Sequence, residues 1–165
     1  MIHRRRFVAL TASALATASS LSLPRPTWAQ GTRPHVEILV LYAKKDAHGG
    51  HVDPAVPKLP QLSQAPFNAY NTFELVDRRT FAFGTLKPSD PWQGKPSATY
   101  QLVTGKSLDV ALLEQRGDGR YEMGAVLGKE AADKLRWAAP VNEAFFIAGQ
   151  SYKDGILVIG ITLRP

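Results

Sequence analysis

The fold class this sequence predicts is all-β and mainly antiparallel, a sandwich or partly open barrel of about seven or eight strands with long Pro/Gly loops. Three observations predict it. Short apolar or alternating runs recur from Val36 to Leu163, with Gly-, Pro- or Asp-rich turns between them. One run, Ser107–Glu114, sets Leu108, Val110 and Leu112 against Asp109 and Ala111 with the period of two that a half-buried strand requires. Two others, Val36–Tyr42 and Ile156–Ile161, are continuously apolar, which suits strands covered on both faces.

Taken in order, Val36-Glu37-Ile38-Leu39-Val40-Leu41-Tyr42 is the first strand, bounded by Pro34 and by Lys44-Lys45-Asp46. Residues 47–66 then turn to Gly, Pro, His and polar side chains, with prolines at 54, 57, 60 and 66. Each proline lacks a donor and restricts the residue before it, so this stretch holds neither a ladder nor a long helix. It is an excursion over the surface, with a helical turn expected near Ala65–Tyr70. Phe73–Phe83 follows as a strand pair or one long bent strand, and Gly84–Pro96 as a second loop. Ala98–Val103 and Ser107–Glu114 flank the tight turn Thr104-Gly105-Lys106. Arg116-Gly117-Asp118-Gly119-Arg120 is the next turn, where Asp-Gly supplies positive φ, and Tyr121–Leu127 returns. Lys129–Leu135 is a helical turn or an irregular link, and Leu135–Ala139 a further strand before Pro140. Glu143–Gly149 and Gly155–Leu163 form a last hairpin around Ser151–Asp154.

The chain begins differently. Arg4-Arg5-Arg6 precedes an apolar run from Phe7 to Leu23, then Pro24, Pro26 and the small-x-small triplet Thr27-Trp28-Ala29. A basic start, a short apolar middle and small residues at the end predict a signal peptide over 1–29. The run is diluted by Ser and Thr, so no stable membrane span is expected after cleavage. Arg4-Arg5-Arg6-Phe7-Val8 resembles the core of the twin-arginine signal, and the ordinary secretory route fits as well. Residues 30–165 are then one β-rich domain, expected in the periplasm or secreted.

Four of the 20 Lys and Arg lie in that leader and none of the 14 Asp and Glu does, so the remainder carries 16 basic against 14 acidic residues. The net charge falls from +6 to +2, and the basic residues are scattered. Nucleic acid is not an expected partner. No cysteine is present, which removes disulfides, thiol catalysis, Cys-ligated zinc, iron–sulfur clusters and covalently attached haem.

No catalytic constellation stands out, and the domain is read as a non-enzyme. No Gly-x-Ser-x-Gly elbow or Ser-x-x-Lys motif occurs, and Gly149–Gly155 lacks the ending of a phosphate loop. Arg116-Gly117-Asp118 is a hairpin turn. Two clusters remain. His48-Gly49-Gly50-His51-Val52-Asp53 places two imidazoles and a carboxylate on one flexible loop, suitable for Zn²⁺ or Cu²⁺, with His35 or Asp46 as completing ligands. Trp92, in Pro91-Trp92-Gln93-Gly94, is expected at the surface, where Phe67, Tyr70 and Phe73 could join it in an aromatic contact surface; core packing of those last three is the favoured reading. Glu37, Asp77, Asp109 and Glu114 are the carboxylates from which a hydrolase pair would be drawn, and all four are expected on solvated strand faces.

Asp53-Pro54 with Pro66-Phe67-Asn68-Ala69-Tyr70, and Gly149-Gln150-Ser151-Tyr152 with Gly155-Ile156-Leu157, resemble a group of small exported bacterial proteins without assigned function. The resemblance spans nearly the whole chain after the leader and implies no activity. The leading expectation is therefore a non-catalytic binding, adaptor or structural module of the cell envelope, with another envelope protein as its partner. The alternative is a metal-binding periplasmic protein using His48, His51 and Asp53, and a weaker one a carboxylate-dependent hydrolase.

Overall fold

The first strand shows how the composition becomes architecture. Every residue from Val36 to Ala43 is buried in β1 (His35–Lys44). Val36, Ile38 and Val40 join one apolar cluster, while Leu39, Leu41 and Ala43 join another on the opposite face. β9 (Gly155–Arg164) repeats the pattern, with Leu157, Ile159, Ile161 and Leu163 on one side and Val158 on the other. A strand sealed on both faces has no polar side to present, and so carries no alternation.

The computed structural model describes residues 34–85, 91–128 and 134–165. The signal peptide expected over 1–29 and most of the link from Lys129 lie outside the described residues. Among those described, no helix is long and apolar enough to cross a membrane. The described residues form nine strands in two antiparallel sheets. Besides β1 and β9 they are β2 (Thr72–Ala82), β3 (Gly84–Thr85), β4 (Pro96–Gln101), β5 (Ser107–Gln115), β6 (Tyr121–Leu127), β7 (Leu135–Ala139) and β8 (Ala144–Tyr152). One sheet runs β2-β1-β9-β8 and the other β3-β4-β5-β6-β7. The architecture is thus a sandwich and not a barrel. The expected Phe73–Phe83 element is one strand, bent where its register against β1 shifts beside Val40 and Leu41. The ninth strand is the two-residue β3, too short to leave a hydrophobic period in the sequence.

Between the sheets lie Val36, Ile38, Val40, Leu157, Ile159 and Ile161 from one side and Tyr100, Leu108, Val110, Leu112 and Met123 from the other. Burial of such side chains contributes about 1.5–3 kcal/mol each, which is how a chain without disulfides holds together. Along one flank Trp137 of β7 stacks on Phe145 of β8, with ring centres 4.3 Å apart. Along the other, the Tyr100 hydroxyl donates to Asp77 Oδ2 at 2.7 Å, and Phe81 meets the Tyr100 ring edge-on.

Each outer face has its own cover. The proline-rich excursion lays Val56, Leu62 and Phe67 over Leu39, Leu41 and Val158, with 3-10 turns at Pro60–Ser63 and Phe67–Ala69. It is tied to the free edge of β2. Val52 bridges Phe73, the His51 carbonyl accepts from the Phe73 amide, and Asp53 N–H donates to the Phe73 carbonyl. On the other sheet, the loop after residue 90 sets Trp92 over Ala111, Gly124 and Val126.

Candidate functional site

The loop that carries Trp92 also builds a groove. Its indole is 4 % exposed and lies against the outer face of β5 and β6, where Gly124 leaves room for it. Trp92 is therefore buried, contrary to the expectation that it stands out into solvent. A glycine in the neighbouring strand is what admits it. Phe67 (7 % exposed) and Phe73 are core residues of the other sheet, with Tyr70 packed beside them. The four aromatics thus divide between two outer faces and do not form one surface.

Beside Trp92 is a shallow hollow of about 360 Å³, open to solvent and ringed by Lys95, Glu114, Glu122, Lys134 and Arg136. Strand geometry places these charges. The turn at Arg116–Arg120 is closed by the Arg116 amide on the Arg120 carbonyl at 2.8 Å, which sets Glu114 directly opposite Glu122. Like charges in that position repel. Arg136, opposite Gly124 on β7, offsets this with Nη1 3.7 Å from Glu122 Oε1. Lys134 donates to the Pro91 carbonyl at 3.0 Å and holds its ammonium 5.7 Å from the centre of the Trp92 ring. The groove thus joins a fixed aromatic wall to three cations and two anions. An ion pair of that length and exposure is worth about 0–1 kcal/mol, so a charged ligand exchanges for it at little cost.

Of the five charged residues, Lys95, Glu122, Lys134 and Arg136 carry no signal as site residues in the sequence motifs. Glu122 is legible only through register, because the turn sets Glu114 opposite it. Nothing local joins Trp92 to Arg136.

The other candidate residues do not line the groove. His48 and His51 are exposed, and the His48 amide donates to Asp46 Oδ1 at 2.9 Å. Asp53 accepts the Ala55 amide on Oδ1 at 2.8 Å and the Leu75 amide on Oδ2 at 3.4 Å, so both oxygens are committed to backbone. Among the described residues no three His, Asp or Glu side chains converge at metal-holding distance. Asp109 accepts from Thr99 Oγ1 at 2.5 Å. Glu37 is 7 % exposed, a correction to the solvated strand face expected for it. Its oxygens meet Arg78 Nε at 2.5 Å and Arg164 Nη2 at 2.5 Å, and Arg164 also donates to Asn142 at 3.0 Å. The odd-numbered positions of β1 face the excursion's side, and at this end arginines replace aliphatics as the cover.

These contacts set the protonation of five groups. Burial pushes the Glu37 carboxyl up, but hydrogen bonds and charge from Arg164 and Arg78 outweigh it and hold the group below its ordinary value. Asp77 is lowered by the Tyr100 hydroxyl and Asp154 by the Tyr42 hydroxyl. Tyr42 is raised to about 12, first by its bond to Asp154, and Tyr100 to about 12, first by burial and then by Asp77. The depressed carboxylates stabilise the fold above the ordinary carboxylate range, and that contribution is lost as pH falls through it. The raised phenols contribute below pH 10, and that contribution is lost as pH rises toward about 12. Melting temperature measured across pH should fall at both extremes. Phenolate absorbance should show Tyr42 and Tyr100 ionising only as pH approaches about 12, and ionisation of these two at the ordinary phenol value would contradict this assignment.

Comparison with protein-family models, curated proteins and solved structures gives no match to this chain.

Proposed function

We propose that this protein is an exported, non-catalytic binding module of the bacterial cell envelope, and that it holds a polypeptide partner in the charged groove beside Trp92. The observation that carries the reading is the groove's make-up: mixed charges from three strands and their connections set around a buried indole. Such an arrangement recognises a segment bearing both charges, and it supplies no activated nucleophile. The leader-like residues 1–29 support export. A ring of exposed charges gives specificity and association rate more than raw affinity, so complex formation should weaken as salt is raised.

The test uses a photo-crosslinking residue at Gln93, an exposed groove residue, introduced in the producing cell. One envelope polypeptide should be captured, and Arg136→Glu should reduce its yield about tenfold, because three neighbouring carboxylates would then repel what the groove selects. The variant should melt within a few degrees of the parent, since Arg136 is exposed. Equal capture by parent and variant would sink the groove as the recognition surface.

A further inference from the structure

A sandwich of two open sheets has four edges, and unpaired edges invite pairing with another strand. Three of them here are guarded. The first residues of β2 are bridged by the excursion at Phe73, and the strand's later part carries Arg78 and Arg79. β3 has two residues. β7 has five, includes Arg136, and is bounded by Lys134 and Pro140. β8 is different. Its nine residues, Ala-Phe-Phe-Ile-Ala-Gly-Gln-Ser-Tyr, include no charge and no proline. Among the described residues it pairs only with β9, no loop or turn backbone bonds to Ala144–Tyr152, and beyond the bulge the Gln150 side chain donates to Thr104 Oγ1 at 2.7 Å.

Its order also suits one particular partner. The register of β8 on β9 is unbroken from Ala144 to Ala148, and the bulge comes after it. Over that stretch the side chains read small, large, large, large, small. Antiparallel pairing of the stretch with itself about Phe146 sets Ala144 opposite Ala148, Phe145 opposite Ile147 and Phe146 opposite its own copy. Small side chains then meet small ones and large meet large, and no like charges stand opposite one another. The flanking Glu143 falls opposite the uncharged residues after Ala148.

We propose that β8 is a docking edge for a second copy of this chain, giving a two-fold dimer in which two four-stranded sheets join into one of eight. The contact is isologous and closes on itself, so it yields a dimer and not a filament. This inference is independent of the groove, which lies on the outer face of the other sheet.

Sedimentation of the purified protein over a concentration series reaching roughly 1 mM tests it, since a single strand edge is a small interface of modest affinity. A monomer–dimer equilibrium is expected. Ala148 is exposed, so Ala148→Lys should leave the melting temperature close to the parent's while weakening association at least about tenfold, as an edge lysine does. Adding Ala144→Glu to Ala148→Lys sets opposite charges across the pairing and should restore the dimer. In the parent chain, hydrogen exchange at β8 amides should slow as concentration rises, a readout that needs no variant. A monomeric parent at the highest concentration, or association undiminished by Ala148→Lys, overturns the proposal. Failure of the double variant to recover overturns the pairing about Phe146.

Discussion

Gly124→Ala is expected to cost about 2–3 kcal/mol of folding stability, far more than a glycine-to-alanine change in a strand ordinarily does. In an open strand the substitution would help, because alanine restricts the unfolded chain. Here a methyl group at 124 would stand 2.4 Å from Trp92 Cη2 and 2.6 Å from Cζ3. Neither atom belongs to a flexible side-chain end. The indole is a rigid plate, its far side is covered by Lys134, and Ala111 and Val126 hold it from below. Trp92 must therefore leave its seat or the loop must lift. Urea unfolding followed by tryptophan fluorescence measures the loss. The informative control is the double-mutant cycle. Trp92→Ala alone should cost about 3–5 kcal/mol, and Gly124→Ala added to it should cost almost nothing, because the clash has gone. Additive losses would mean that the glycine serves the strand and not the tryptophan.

Phe67→Ala should cost about 3–4 kcal/mol, and its effect should be confined to one face. Phe67 meets Phe146 edge-on with ring centres 5.6 Å apart. Phe146 in turn lies close over Gly160, whose added methyl would stand 2.9 Å from its Cε1. Removing the Phe67 ring opens a cavity between the excursion and the sheet, while the cluster between the sheets keeps all its members. Hydrogen exchange should rise across residues 47–71 and at the β2 amides of Phe73 and Leu75, which the excursion protects. It should stay unchanged in β5 and β6. Uniform loss of protection would show that excursion and sandwich unfold as a single cooperative unit.

The strands were legible in the sequence where their environment was uniform. β1 and β9 declared themselves by continuous apolar residues and β5 by alternation, while the turns at Gly105 and Gly119 showed through residues that tolerate positive φ. The 3-10 turn at Phe67–Ala69 fell where a helical turn was expected. Two kinds of feature escaped. One is any side chain whose setting comes from a distant partner: Glu37 reads as a polar residue in a strand until Arg78 and Arg164 are placed beside it from β2 and β9. The other is the covering of outer faces. Trp92 in a Pro/Gly loop has the local character of an exposed aromatic, and the reason it is buried is a missing side chain at Gly124, on another strand. The groove was hidden for the same cause, since its charges come from β5, β6, β7 and two connecting segments.

The placement of β1 between β2 and β9 has a consequence in time. Its partner on one side is the final strand, with Val36 opposite Leu163, so the central pair of that sheet joins nearly the two ends of the described chain. The β4–β7 meander forms from sequence neighbours, but the lid over its apolar face is incomplete until Gly155–Arg164 has been synthesised. Pairings so remote in sequence place refolding in the millisecond-to-second range and not in microseconds. During translation the interval between the first strand and the last is the period of greatest exposure to aggregation, and the one in which a chaperone has most to bind.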